Sequence, residues 1–264
     1  MTTSTKDALA SPAGVLTFAG LASVVYAALG TVRDPELDEP ITTLGFVASC
    51  TVSPAGQAQV RLRLPTYFCA PNFAFLMVAD AHDAVTGVPG ITAAEVTLED
   101  HFASGEINAG VAAEAGFVAS FDGEAASELD ELRAQFLRKA VMAGTDQVCR
   151  PLVDHGVTPA ELASLTLGAI PASGALDRLR QRRADLGLPA DNDAPLLLDP
   201  ATGQRISEEA VPLHLRRARL TRTGIDANTS ICSGMLKARY QDTPTSDEQV
   251  SREEILSGLP QESR

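Results

Sequence analysis

Paired cysteines, a basic charge balance and an apolar run of membrane length are all missing from this sequence of 264 residues. Its four cysteines, Cys50, Cys69, Cys149 and Cys232, are scattered and form no Cys-x-x-Cys pair. That distribution argues against a disulfide framework and for a reducing, cytoplasmic setting. Lys and Arg number 21 against 34 Asp and Glu, a formal net charge of -13, with an isoelectric point near 4.7. The summed field repels phosphate backbones and anionic head groups, so neither nucleic acid nor a membrane surface is expected as a partner. The one apolar stretch near the start, Val15 to Gly30, is too short to span a bilayer comfortably. Its lead-in carries a single cation, Lys6, offset by Asp7, and so lacks the positive character of a secretory signal.

What is present is ordinary globular composition, 45% hydrophobic and 21% charged, enough to bury one or two cores. In the first stretch Phe18, Leu21, Val25, Leu29 and Val32 recur at steps of three and four, which predicts an amphipathic helix over Val15 to Val32, stopped at Arg33-Asp34-Pro35. Strands are predicted over Thr43 to Val52 and over Gln59 to Leu64, where Val60, Leu62 and Leu64 alternate with Arg61 and Arg63. The turn residues Ser53-Pro54-Ala55-Gly56 between them predict a hairpin. Pro71 suits the first position of a helix, predicted to run to Val85. Gly87-Val88-Pro89-Gly90 closes it, and Ile91 to Leu98 reads as a third strand.

After Glu99 the sequence becomes rich in Ala and Gly, with helical patterns near Glu124 to Met142, Thr158 to Leu167, Ala172 to Leu186 and Ser207 to Leu220. Thr158 and Ser207 read as capping hydroxyls at helix starts. The fold class is therefore α+β: a small domain over residues 10–100 in the order α-β-β-α-β, then a mainly helical extension over 101–240. Leu186 to Gly203 reads as loop, and the polar tail 241–264 as disordered. Two basic clusters, Arg178, Arg180, Arg182 and Arg183 and then Arg216, Arg217, Arg219 and Arg222, read as solvated helix faces. The histidines, His82, His101, His155 and His214, have no metal-ligand spacing and are expected mostly at the surface.

Cys69 is the most informative residue. It lies just before a proline-marked helix N-terminus, where unsatisfied amides and the positive end of the helix dipole favour a thiolate, the form that ligates metal or attacks an electrophile. The second constellation is acidic: Asp34, Glu36, Asp38 and Glu39 crowd one loop, a set suited to a hard cation, a basic partner or a solvated turn.

The ordered series of helix, Asp34-Pro35-Glu36, Ile41-x-x-Leu44-Gly45-x-Val47 strand, alternating strand ending in Thr66-x-x-Cys69, helix and a strand after Val88-Pro89-Gly90 resembles the PaaD-like and SufT-like iron-sulfur cluster assembly family over Val15 to Leu98. The resemblance implies a small iron-sulfur assembly-type domain that delivers clusters or otherwise matures metalloproteins. It implies that Cys69 is the functional thiol and metal ligand and that Asp34 and Glu36 form the acidic motif. It also implies a client metalloprotein, an oxygenase component among the candidates, and a non-enzymatic role in which an iron-sulfur cluster is held transiently. Ala70 stands between Cys69 and Pro71, where the family commonly has proline directly after its cysteine. One thiolate cannot hold a cluster that normally takes four protein ligands. The others must come from the client, from a second subunit in a homo-oligomer, or from this chain, for which Cys50 on the first strand is the candidate co-ligand. A metal-free adaptor that only binds its client is the competing reading.

Overall fold

In a computed structural model, described for residues 18–121, 125 and 127–241, the N-terminal part follows the expected order. The expected tail lies outside the described residues apart from Gln241. Helix α1 (Phe18–Leu29) buries Val25 and Leu29 completely, and Val32 continues the same stripe beyond its end. Strand β1 (Val47–Val52) pairs antiparallel with β2 (Gln57–Arg63), and β2 pairs parallel with β3 (Ala93–Glu99), giving the sheet order β1-β2-β3. Helix α2 (Pro71–Thr86) is the crossover between the two parallel strands, with Pro71 in its first turn. A parallel connection requires such a crossover, which places the start of α2 just beyond the C-terminal end of β2.

The start of β1 differs from the sequence reading for a local reason. Strand β1 begins at Val47, not at Thr43, because the chain first closes a turn in which the Gly45 amide donates to the Thr42 carbonyl and Gly45 takes a φ of 75°. The hairpin turn is as expected, with the Gly56 amide donating to the Ser53 carbonyl. Gly56 has a φ of 76°, and an added Cβ would collide with the Gly90 carbonyl oxygen. Gly56→Ala is therefore expected to cost about 2 kcal/mol, read as a lowered midpoint in urea with an unchanged slope.

The second half is helical, with more elements than the pattern suggested: α5 and α8 are longer than expected, α6 and α7 shorter. Helices α3 (Ser104–Ala112) and α4 (Phe117–Ser120) were not visible in the Ala- and Gly-rich sequence. Helix α5 (Asp130–Asp154) runs past Met142, and within it Gly144 lies against α7, where an added Cβ would meet the Leu179 side chain at 3.4 Å. Helix α6 (Pro159–Ser164) starts with the expected cap, Thr158 and Glu161 forming a capping box. Helix α7 (Gly174–Asp185) packs on α5. Helix α8 (Val211–Tyr240) continues twenty residues beyond Leu220, held along α5 in part by Arg222 and Asp146 at 3.3 Å. Ser207 makes no side-chain cap; it precedes a single 3-10 turn, Glu208–Ala210.

Two cores result. The first joins α1, the sheet and α2 to Ile107 and Val111 of α3, Phe121 and Leu236 of α8. The second gathers Val141, Val148 and Cys149 of α5 with Leu162, Leu167, Leu179, Leu196 and Leu197. The first basic cluster is only in part a solvated face: Arg178 is exposed, but Arg183 is 0% exposed and Arg182 4%. Arg183 donates from Nη1 to the Pro195 carbonyl at 2.8 Å and from Nη2 to that of Leu196 at 2.6 Å, so it pins the 186–203 segment onto α7. Arg182 reaches back to Asp38 Oδ1 at 2.5 Å and ties the helical half to the acidic loop.

Candidate functional site

The segment between β2 and α2 is a tight turn. Within it the Thr66 hydroxyl and the Cys69 sulfur lie 3.3 Å apart, and Cys69 is half-buried two residues before the first residue of α2. Burial of one side of the thiol limits its attackers, while the open side keeps it available to a ligand or partner.

His101, expected at the surface, is instead 3% exposed and braces this turn. Its Nδ1 accepts the Ala103 amide at 3.2 Å, so the ring proton sits on Nε2 and is donated to the Cys69 carbonyl at 2.7 Å. Both ring nitrogens are thereby committed to the backbone. Burial, reinforced by the nearby Arg239 charge, pushes the His101 pKa down from its usual value, against the opposing effect of the Cys69 carbonyl. His214, also buried, is pushed down chiefly by burial.

The sign of the resulting pH dependence follows directly. Folded values below the unfolded 6.5 mean that these groups contribute stability in full above that pH and lose it as pH falls through their folded values. Asp34 and Asp38 act oppositely and at lower pH, since burial raises both above the ordinary carboxylate value. The thermal midpoint is expected to fall as pH drops below about 6.5, and His101→Gln is expected to flatten that fall. A midpoint with equal slope in both proteins would contradict the neutral, bracing role of His101.

The acidic loop is built, not merely solvated. Asp34 is 8% exposed, and its Oδ1 accepts the amides of Glu36 and Leu37, both at 2.8 Å. The Asp34 amide donates to the Glu39 carbonyl, and Arg33 Nη1 to the Asp38 carbonyl at 2.6 Å. Asp38, at a φ of 54°, receives Arg182.

These two motifs meet through an element that sequence reasoning did not connect to them. Helix α8 passes Leu37, Asp38 and Glu39 with Ile225 and Thr229. Four residues beyond Cys232 it packs Leu236 against Gly45, and at its end Arg239 donates to the carbonyls of Leu64 (3.2 Å) and Asp100 (2.7 Å). Cys232 lies between these anchors on the inward face and packs against the first core, as does Cys69. Burial raises its pKa, and the negative charges of Asp34, Cys69 and Glu36 add to the rise. Cys50 is in a different position. It faces Val60 across the hairpin, and burial alone pushes its thiol up to about 11. The Cys69 charge thus acts on the Cys232 thiol. Cys149, expected after a helix, is inside α5 at 1% exposure with its thiol pushed up to about 12, chiefly by burial.

Beside the Cys69 turn stands an aromatic patch. Tyr67, Phe68 and Phe102 are 46%, 78% and 49% exposed, and their ring centroids lie 5.0 to 6.3 Å apart. The Phe102 amide donates to the Tyr67 carbonyl at 3.2 Å, which fixes the two loops to each other. Among the described residues, no three His, Cys, Asp or Glu side chains form a ready metal site. No described helix is long and apolar enough to cross a membrane.

Part of the chain is similar to known proteins. Residues 22–98 match the model of a family described as iron-sulfur cluster assembly protein. An iron-sulfur cluster carrier protein of Mycobacterium leprae is 38% identical over 81 residues, 31% of this chain and 21% of the relative. One of Mycobacterium tuberculosis is 37% identical over 79 residues, 30% of this chain and 20% of the relative. The chain thus spans about a fifth of the length of these curated relatives. A crystal structure of a domain of unknown function, DUF59, from Bacillus anthracis is 29% identical over 30% of this chain and 73% of that one, with a TM-score of 0.28, too low to bear on the fold. The stretch that presents Cys69, residues 22–98, is thus similar to the iron-sulfur cluster assembly family.

Proposed function

We propose that this chain is an iron-sulfur cluster carrier or assembly factor that accepts a cluster, or its iron, through the Cys69 thiolate and passes it to a client metalloprotein. The observation that carries this reading is the half-exposed Cys69 thiol, held in a braced turn within the segment that matches the assembly family. A cargo that must leave again requires a ligand set that is incomplete on the carrier, so that the client supplies what is missing. A reachable thiol beside an exposed aromatic patch suits that exchange.

The exposed aromatic trio supports a protein client. Rigid aromatic side chains in a cluster are the residues on which protein interfaces concentrate their binding energy. A component of a multicomponent oxygenase is the client class we favour, with a second copy of the chain as another source of ligands. The role is non-enzymatic in this reading. His101, the histidine beside Cys69, has both ring nitrogens engaged by backbone and does not serve as a base for the thiol. Free thiols at Cys50, Cys69, Cys149 and Cys232 suit a reducing compartment such as the cytoplasm.

The test is a transfer assay. The chain is loaded with iron and sulfide without oxygen and mixed with an apo-ferredoxin, whose visible absorption and electron paramagnetic resonance report cluster arrival. Transfer from the unaltered chain and none from the equally treated Cys69→Ser chain is expected. Equal activity in the two sinks the assignment of Cys69, and a metal-free adaptor becomes the reading to pursue by client capture.

A further inference from the structure

We propose that Cys232 of α8 is the second thiol of the Cys69 site, so that residues from two distant parts of the chain form one sulfur pair for a soft or borderline metal ion. This rests on the reading of Cys69 as the working thiol and names a ligand for the same site.

The placement follows from the anchors on either side of Cys232. Ile225 and Thr229 lie beside Leu37 to Glu39, Leu236 is 6% exposed against Gly45, and Arg239 bonds the carbonyls of Leu64 and Asp100. Leu64 and Asp100 flank the Cys69 turn, which is itself braced by His101, the neighbour of Asp100. A helix advances about 1.5 Å per residue, so Cys232, four residues before Leu236 and three after Thr229, is carried over the ground between the acidic loop and that turn. It is half-buried and inward, on the stripe that contains Leu236. The charges of Cys69, Asp34 and Glu36 all act on it, which agrees with that placement.

The chemistry is ligand exchange. Each thiol releases its proton to solvent as its sulfur bonds the metal, so loading is favoured by rising pH. Thr66, 3.3 Å from the Cys69 sulfur, can donate its hydroxyl proton to the resulting thiolate. Two sulfurs from the chain leave the remaining coordination positions of the metal to the donor or the client.

The experiment uses the full, reduced chain and two probes. The first is dibromobimane, which becomes strongly fluorescent once both of its arms have alkylated thiols. Peptide mapping of the unaltered, monomeric product is expected to show Cys69 bridged to Cys232. Fluorescence is expected to survive Cys50→Ser and to be lost in Cys232→Ser. A bridge from Cys69 to Cys50 instead would overturn the proposal without any variant having to fold.

The second probe is cadmium, followed by its sulfur-to-metal absorption in the ultraviolet. That absorption is expected to fall by half in Cys232→Ser, one of two thiolates being gone. Full absorption in Cys232→Ser together with a loss in Cys69→Ser would overturn the pairing and leave Cys69 as the working thiol. Absorption unchanged in both variants would overturn the pairing and the reading of Cys69 together.

Discussion

Cys69→Ser is expected to abolish bound iron and labile sulfide while leaving the thermal midpoint of the protein almost unmoved. The two effects separate because Cys69 is half-buried in a turn, not in a core, and a serine hydroxyl can keep the contact with Thr66. His101 holds the turn through the Cys69 carbonyl, which the substitution does not touch. A small surface change of this kind is typically within about 0.5 kcal/mol. Iron and sulfide analysis after anaerobic loading, paired with thermal unfolding of the same samples, checks both halves. A large loss of stability in the variant would assign Cys69 a structural role instead.

Arg183→Met is expected to cost more stability than Gly56→Ala. The guanidinium is fully buried and serves the Pro195 and Leu196 carbonyls, and burial lowers its pKa to about 10 despite the opposing effect of Cys149. Methionine fills much of the volume but leaves two buried acceptors unpaired, each costing about 1 to 3 kcal/mol. A loss of about 3 kcal/mol is therefore expected from urea unfolding followed by circular dichroism. Arg216→Met, on an exposed face of α8, is the comparison and is expected to change little. Equal effects of the two would mean that the 186–203 segment is held by its leucines alone.

The contrast between these two arginines marks where sequence pattern stopped being informative. Period and punctuation were sufficient for the N-terminal domain: the stripe through Val25, Leu29 and Val32, the alternation of Val60, Leu62 and Leu64, the 53–56 turn and Pro71 all act locally. They fail where a residue's role is set by something distant. Arg183 looks like its neighbours in a basic run until the 186–203 segment folds back over it. The role of Gly144 is equally hidden, because the α7 side chain it makes room for, Leu179, is 35 positions away in sequence. The helical pattern likewise ended at Leu220, whereas α8 runs on to Tyr240, packed on α5 and the first core.

The candidate site shows the same division. Cys69 and the Asp34 and Glu36 loop were visible because a proline, a helix start and a crowding of carboxylates are local signals. His101 was missed because only the tertiary fold brings it to the Cys69 carbonyl, although its place directly after the last strand put it at the same sheet edge. Cys232 was legible only as a cysteine in an apolar and basic stretch. The signal that could have found it is the spacing of Thr229, Cys232 and Leu236, a helical stripe with a thiol in its centre.

The most direct test of the account is the iron and acid-labile sulfide content of the unaltered chain after loading without oxygen and removal of excess reagents. Stoichiometric iron and sulfide with visible absorption, held until an acceptor is added, is the result the account predicts. A chain that leaves the column without iron, sulfide or colour, and that transfers none to an apo-ferredoxin, would contradict it.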